Sequence, residues 1–178
     1  MLNLMNFISE CYVDTNMVKT LLDADKINHQ HSCNNVANIF KSKLLNDFAV
    51  GIIDDDKKKP SVLNDFYLIG SNNHIKLLKH NNRPHYLIII SKAAEDFILQ
   101  CAVESNTNLS EYGIPSNLID LKKITKNNIA DKENSLRKLF KILENKNCGM
   151  KILKTILNYL YENKFKSKDE DLKQMFSE

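Results

Sequence analysis

The sequence predicts an α/β fold, in which a sheet of mainly parallel strands flanked by helices is followed by a helical C-terminal part. Two continuous apolar runs, residues 48–53 and 86–90, are typical of parallel strands covered on both faces. Strand-like and helix-like segments alternate up to about residue 105, and only helix-like segments follow. The chain has 178 residues but only 4 glycines and 3 prolines, which favours long regular elements over collagen-like, low-complexity or many-turned all-β folds.

The first elements are expected to be a strand, a helix, a second strand and a second helix. Residues 5–13 are rich in strand-forming side chains, and Asp14 or Thr15 can cap the helix that follows. A polar strand over residues 26–32 comes next. Apolar side chains then recur at every fourth position from Val36, which predicts an amphipathic helix.

The central strand of the sheet should be residues 48–53, which run directly into three aspartates. Shorter strands are expected over residues 66–70, 74–80 and 86–90, with asparagine pairs marking the turns between them. The last of these strands leads into a helix that carries Phe97.

The predicted boundary separates an α/β domain, residues 1–105, from a helical subdomain, residues 106–178. The subdomain has apolar stripes at helical spacing, which are expected to be buried in the core. The final stretch from Lys164 is mostly charged and is expected to fray, although Leu172, Met175 and Phe176 could form a last turn. The stripe residues are Leu139, Phe140, Leu143, Ile152, Ile156 and Leu160.

Charge and cysteine content exclude several classes of protein. The net charge is +3, and residues 106–178 contain 14 Lys/Arg against 10 Asp/Glu, a scattered excess more typical of solvated helices than of a nucleic-acid footprint. The four cysteines form no CxxC pair, so we expect free, mostly buried thiols and neither a zinc knuckle nor a disulfide framework. No apolar run approaches the roughly 18 residues that span a bilayer. We therefore expect a soluble, cytoplasmic protein without a membrane segment.

Motifs for nucleotide cofactors and serine hydrolases are missing from the sequence. It contains no Gly-x-Gly-x-x-Gly, Walker loop or Gly-x-Ser-x-Gly. An ATP-driven activity would therefore need a separate ATPase subunit as a partner.

Acidic residues follow two of the predicted strands. Glu10 comes at the end of the first strand, and Asp54, Asp55 and Asp56 come at the end of the third. Ligands of open α/β sheets bind at the carboxyl ends of the strands, where these carboxylates would meet if the strands are parallel neighbours. The period of two along a strand puts Asp54 and Asp56 on one side and Asp55 on the other. Converging carboxylates either raise a pKa or bind a divalent cation, and Mg²⁺ suits hard oxygen ligands.

These two motifs resemble a known family. The residues at 10–14 are ECYVD and precede a helix, which resembles the strand-glutamate-turn of the Toprim fold, the catalytic domain of topoisomerases, DnaG-type primases and OLD-family nucleases. The residues at 51–56 are GIIDDD, which resembles the second Toprim signature, an apolar strand ending in Asp-x-Asp. The resemblance covers about residues 5–105. Cys11 departs from it, because the family usually has glycine there.

The Toprim resemblance implies roles for particular residues. Glu10 would be a general acid/base or metal ligand, and Asp54 and Asp56 would hold one or two Mg²⁺ or Mn²⁺ ions for phosphodiester chemistry. Some nuclease-like members also have an acidic residue opening the helix after the next strand, the place of Glu95. The additional candidates at the site are Asp14, Glu95, Lys57 and Lys58.

The sequence therefore predicts a magnesium-dependent phosphodiesterase or nuclease that acts on nucleic acid, and other interpretations stay open. The acidic turn could be purely structural. The fold could instead be a non-catalytic interaction module with a degenerate site, docking a partner protein through its helical tail or forming a homo-oligomer. A receiver-like phosphoacceptor domain, with Asp54 as acceptor, lacks the paired acids and the Lys-Pro step. Divalent-cation binding would favour the enzyme, and an exposed apolar stripe on the last helices would favour the module.

Histidines form a second, weaker candidate for a site. His29 and His31 share one face of a predicted strand, with Cys33 close by. No second cluster completes a tetrahedral zinc site in the sequence, so a polar strand is the simpler interpretation.

Overall fold

A six-stranded mixed sheet forms the centre of the fold in a computed structural model of the chain, which describes residues 2–55, 61–126, 130 and 132–177. The strands are β1 (Asn3–Ser9), β2 (Lys26–His29), β3 (Ala49–Asp54), β4 (Phe66–Ser71), β5 (Ile75–His80) and β6 (His85–Ile90). Their order in the sheet is β2-β1-β3-β6-β5-β4. The pairs β1·β2, β1·β3 and β3·β6 are parallel, whereas β5·β6 and β4·β5 are antiparallel. The predicted α/β class and the predominance of parallel strands are thus confirmed.

Seven α-helices surround this sheet within the described ranges. They are α1 (Tyr12–Leu21), α2 (Cys33–Lys41), α3 (Ala94–Glu104), α4 (Leu118–Thr125), α5 (Asn134–Leu143), α6 (Gly149–Asn163) and α7 (Asp169–Gln174). Short 3₁₀ turns occupy Ser61–Asp65, Leu109–Tyr112 and Lys164–Lys166. None of the helices described is both long and apolar enough to cross a membrane.

The central strand β3 is buried on both faces, as its continuous apolar sequence predicts. Val50 and Ile52 point into a large cluster with residues of α1, α3, α5 and α6, and Ile53 points into a smaller cluster with α2. Gly51 lies on the α2 face, where an added Cβ would come within 2.8 Å of the Phe40 ring. The missing side chain therefore lets α2 pack close against the middle of the sheet.

The helices after residue 106 share the main hydrophobic core with the sheet. Of the six stripe residues, five are fully buried and Ile152 is partly buried, which confirms their predicted place in the core. The Asn16 side chain of α1 also donates hydrogen bonds to the backbone carbonyls of Ala130 (2.7 Å) and Glu133 (3.1 Å). One continuous cluster thus contains residues from both sides of the expected boundary at residue 105.

Two local predictions are wrong. Helix α1 begins earlier than expected, because Cys11, and not Asp14 or Thr15, is its N-cap residue and accepts the Asp14 N–H at 3.4 Å through its sulfur. The tail does not fray: α7 buries Leu172 completely.

Polar contacts and one aromatic ring hold α7 against strand β4 and its neighbour β5. The Asp169 carboxylate accepts hydrogen bonds from the Tyr67 hydroxyl (2.6 Å) and the Lys79 ammonium (2.7 Å). The Phe176 ring lies so close to Gly70 that an added Cβ there would overlap it. The charged composition of the tail therefore conceals an element that packs against the β4 and β5 end of the sheet.

Candidate metal and catalytic site

A pocket of about 340 Å³ opens beyond the carboxyl ends of the parallel strands β1 and β3, where the sequence predicts a site. It contains three carboxylates, one thiol, two imidazoles and two ammonium groups. Its lining residues are Glu10, Cys11, Tyr12, His29, His31, Asp54, Ala93, Glu95, Lys122, Thr125 and Lys126.

Glu10 and Asp54 lie side by side in this pocket. Because β1 and β3 are parallel neighbours, the residues that follow them meet, and the Asp54 N–H donates to Glu10 Oε2 at 3.3 Å. The Glu10 N–H in turn donates to the Ile52 carbonyl at 3.0 Å, which extends the ladder by one residue beyond β1. Both side chains are buried, with 2% and 8% of their surface exposed. The sheet backbone therefore holds both residues at one edge.

The first turn of α3 also holds Asp54. Asp54 Oδ1 accepts the Ala94 N–H at 3.1 Å, at the positive end of that helix. Glu95, the next residue of α3, is buried, lines the pocket and accepts a short hydrogen bond from the Thr125 hydroxyl of α4. Glu95 thus lies near the other carboxylates, at the position that the resemblance implies.

Asp14 and Cys11 form the part of the site contributed by α1. The Cys11 thiol donates to Asp14 Oδ2 at 2.9 Å, and Asp14 is fully buried. Among the described residues, Asp14 Oδ1 has no hydrogen-bond partner. Burial raises the pKa of Asp14 to about 7; the Cys11 hydrogen bond opposes this shift, and the charges of Glu10 and Glu95 add to it. Burial and the Asp14 charge likewise raise the pKa of the Cys11 thiol well above its usual value.

Three of these side chains are close enough to share one metal ion. Cys11, Asp14 and Asp54 each offer a ligand atom, and the three atoms lie within 4.8 Å of one another. A divalent cation here would satisfy the unpartnered Asp14 oxygen and offset the repulsion between carboxylates. The donors therefore fit a cation, although the group differs from the predicted one in containing Cys11 and Asp14.

Aromatic rings form a further part of the pocket lining. The Tyr12 and His29 rings are stacked with centroids 4.3 Å apart, and the His31 ring meets the His29 ring edge-on at 4.8 Å. The Thr15 hydroxyl lies 2.9 Å from His29 Nδ1 and orients this imidazole. Cys33, which the sequence groups with these histidines, is instead buried at the start of α2.

Some predicted site residues cannot be placed in the pocket. Asp56, Lys57 and Lys58 lie outside the described residues. Asp55 forms an ion pair with Lys76 of β5 at 2.8 Å and is not among the pocket's lining residues.

The positive charges at the pocket come from Lys122 of α4 and from Lys126, the C-cap residue of this helix, and they were not predicted from the sequence. Lys122 and Lys126 are four positions apart, and both line the pocket that contains the acidic groups. Their four-residue spacing is visible in the sequence, but their position depends on how α4 packs against α3. Local patterns carry no information about that packing.

A larger cavity of about 590 Å³ lies elsewhere, near α1 and α5. Lys19, Asp23, Arg137 and Lys141 are among its lining residues, and it contains none of the predicted site residues. The carboxylate cluster makes the smaller pocket the better candidate for a catalytic site.

Comparison with known proteins identifies no relative of this chain. No protein-family model matches it, and neither a curated protein nor a solved structure shows significant similarity. A functional assignment therefore rests on the chain's own residues and on the geometry of the pocket.

Proposed function

We propose that this chain is a divalent-cation-dependent phosphodiesterase that acts on nucleic acid, with a Toprim-like arrangement of its acidic residues. The observation that carries the proposal is that Glu10 and Asp54 are both buried at the ends of two parallel strands, where the Asp54 N–H donates to the Glu10 carboxylate. Buried carboxylates in such proximity need a proton or a cation to compensate their charge. Mg²⁺ or Mn²⁺ is the proposed cofactor, because both suit carboxylate ligands.

Each acidic residue has a distinct proposed task. Asp54 and Asp14 would hold the cation, because their oxygens belong to the group of donors within 4.8 Å of one another. A bound cation supplies Lewis-acid polarisation of the phosphoryl group and lowers the pKa of a bound water. Glu10, which lines the pocket beside Asp54, would take the proton from the attacking water.

Phosphate binding would fall to the lysines of α4. Lys122 and Lys126 present their charges to the same pocket and can offset the negative charge that develops on a phosphodiester during cleavage. Lysines act as point charges and impose no bidentate geometry, so they tolerate the backbone of any nucleic acid.

The alternative functions have less support from the geometry. A docking module would be favoured by an exposed apolar stripe on the last helices, but Leu139, Phe140 and Leu160 are buried. A receiver-like fold has a parallel sheet of order 2-1-3-4-5, whereas β4 and β5 here are antiparallel. The phosphodiesterase is therefore the function that we propose.

A cleavage assay on single- and double-stranded DNA and RNA, with Mg²⁺ or Mn²⁺, tests the proposal. The substitution Asp54→Asn should lower both cation affinity and cleavage, because it removes a charge that the cation needs. Glu10→Gln keeps the shape but cannot take a proton, so it should slow turnover by about 10²–10⁴-fold with much less change in substrate binding. Calorimetry on each variant measures the cation affinity.

The matched control is Asp55→Asn, which removes the neighbouring carboxylate outside the pocket. This variant should keep both cation affinity and cleavage. If the wild-type protein binds no divalent cation and cuts none of the four substrates, the acidic edge is structural. The interaction module then becomes the better proposal.

A further inference from the structure

We propose that Cys11, Asp14 and Asp54 form a site for a thiophilic divalent cation of the zinc class, with Cys11 bound to it as a thiolate. The inference rests on the proposed function for its pocket, and it names the zinc class, in place of Mg²⁺ or Mn²⁺, as the cations that this pocket binds most tightly. It concerns binding, so it can hold even if the chain cleaves no nucleic acid.

The first argument is the position of the sulfur. Cys11 Sγ lies 2.9 Å from Asp14 Oδ2, and an Asp54 oxygen completes a group within 4.8 Å. Zinc-class ions bind sulfur at about 2.3 Å and carboxylate oxygen at about 2.0–2.2 Å. Small side-chain movements would therefore bring all three donors onto one ion.

The second argument is the Asp14 carboxylate, which points to a missing ligand independently of the cysteine. This side chain is fully buried, yet its Oδ1 atom has no hydrogen-bond partner among the described residues. Buried polar atoms normally have a partner, and an orphan of this kind calls for an unseen ligand or ion. A cation between Asp14 and Asp54 would be that partner.

The third argument concerns the choice among cations. Mg²⁺ prefers an all-oxygen octahedron, whereas thiolates select softer ions such as Zn²⁺ and Cd²⁺. On binding, the Cys11 S–H bond is replaced by a sulfur–metal bond, and the thiol proton passes to the solvent buffer. The backbone N–H of Asp14, which already donates to the sulfur, would remain a donor to the thiolate.

The competing explanation is that the Cys11 thiol only caps α1. The substitution Cys11→Ser distinguishes capping from metal binding. Serine is a preferred N-cap residue, so this variant should fold and keep α1. It removes the soft ligand, however. The matched control is Cys148→Ser, because Cys148 is also a helix N-cap residue, at the start of α6, and lines no part of the pocket.

The experiment titrates each reduced protein with Cd²⁺, Zn²⁺ and Mg²⁺. Calorimetry gives the affinities, and the ultraviolet charge-transfer absorbance of a Cd²⁺–thiolate bond identifies the ligand. We expect one Cd²⁺ per chain with this absorbance, and tighter binding of Zn²⁺ than of Mg²⁺ by at least tenfold. In Cys11→Ser the absorbance should vanish and Zn²⁺ affinity should fall by at least the roughly 10–100-fold that loss of an outer-shell partner costs. In Cys148→Ser both should persist.

A second variant guards against an effect of Cys11→Ser on folding. Asp14→Asn keeps the thiol but removes a carboxylate, so it should weaken binding of all three cations. The inference is overturned if Cd²⁺ binds without thiolate absorbance, or if Cys11→Ser leaves the ratio of Zn²⁺ to Mg²⁺ affinity unchanged. It also fails if no cation binds, an outcome that removes the proposed function as well. Thiolate absorbance without any cleavage would overturn only the phosphodiesterase.

Discussion

The buried Asp14 carboxylate should make the stability of the metal-free protein depend on pH, and Asp14→Asn should remove this dependence. Its pKa is 3.8 in an unfolded chain and about 7 in the folded protein, where burial is the main cause of the rise. Below about pH 4 the Asp14 carboxyl group is protonated in both the folded and the unfolded protein, so its favourable contribution to the free energy of unfolding is fully present. As the pH rises through 7, the Asp14 carboxyl group ionises in the folded protein as well, and its contribution to the free energy of unfolding is lost.

The size of the effect follows from the two pKa values. Each unit of pKa difference corresponds to about 1.4 kcal/mol, so a rise from 3.8 to about 7 is worth up to about 4 kcal/mol. Asparagine does not ionise. Relative to the wild type, Asp14→Asn should therefore gain up to about 4 kcal/mol of unfolding free energy between about pH 4 and pH 8. At pH 4 the Asp14→Asn variant should be less stable than the wild type by about 1–3 kcal/mol, because it buries amide N–H donors in place of the carboxyl group.

Urea unfolding in the presence of a chelator, at several pH values, measures this difference directly. The control is Asp25→Asn, which removes an exposed carboxylate in the turn between α1 and β2. A difference between Asp14→Asn and the wild type that stays constant from pH 4 to pH 8 would refute the assignment of a raised pKa to Asp14.

Three further predictions concern packing and charge. Leu172→Ala should lower the free energy of unfolding by about 2–5 kcal/mol, because this tail side chain is fully buried; a frayed tail would give no loss in a urea titration. Gly51→Ala should cost about 1–3 kcal/mol in the same titration, because its Cβ would press on the Phe40 ring; an unchanged midpoint would mean that α2 can move away freely. Replacing Lys122 and Lys126 together by glutamine should weaken nucleic-acid binding and flatten its dependence on salt; an unchanged salt slope, measured by fluorescence anisotropy, would exclude them from the phosphate contact.

The strands of the sheet could be predicted because the residue pattern that indicates each strand lies within that strand. Continuous apolar runs at β3 and β6 reveal strands buried on both faces, and Glu10 and Asp54 follow directly from where β1 and β3 end. The start of α1 was mistaken because a thiol serves as its N-cap, whereas Asp14, a typical capping residue, lies inside the first turn.

The remaining parts of the site depend on contacts distant in sequence. Thr125 reaches Glu95 across 30 positions of the chain, and Lys122 comes to the pocket with the same helix. His29 lines the pocket because its ring stacks on Tyr12 and lies within hydrogen-bond distance of the Thr15 hydroxyl, both in α1. No periodicity encodes such contacts. The tail shows the same limit, since Leu172 can be picked out as apolar in a charged segment, but its complete burial depends on contacts with distant parts of the chain.

The covering of β4 by α7 has a consequence for the synthesis of the chain. Strand β4 leaves the ribosome long before Asp169, the first residue of the helix that covers it. At about 5–20 residues per second, the roughly 100 residues between them take about 5–20 s to make. During that time the apolar surface that Leu172 and Phe176 later bury is open to contact with another nascent chain. Polysomes translating this protein should therefore be the place where it aggregates, and chaperones that bind nascent chains should matter more to its yield than the stability of the finished fold.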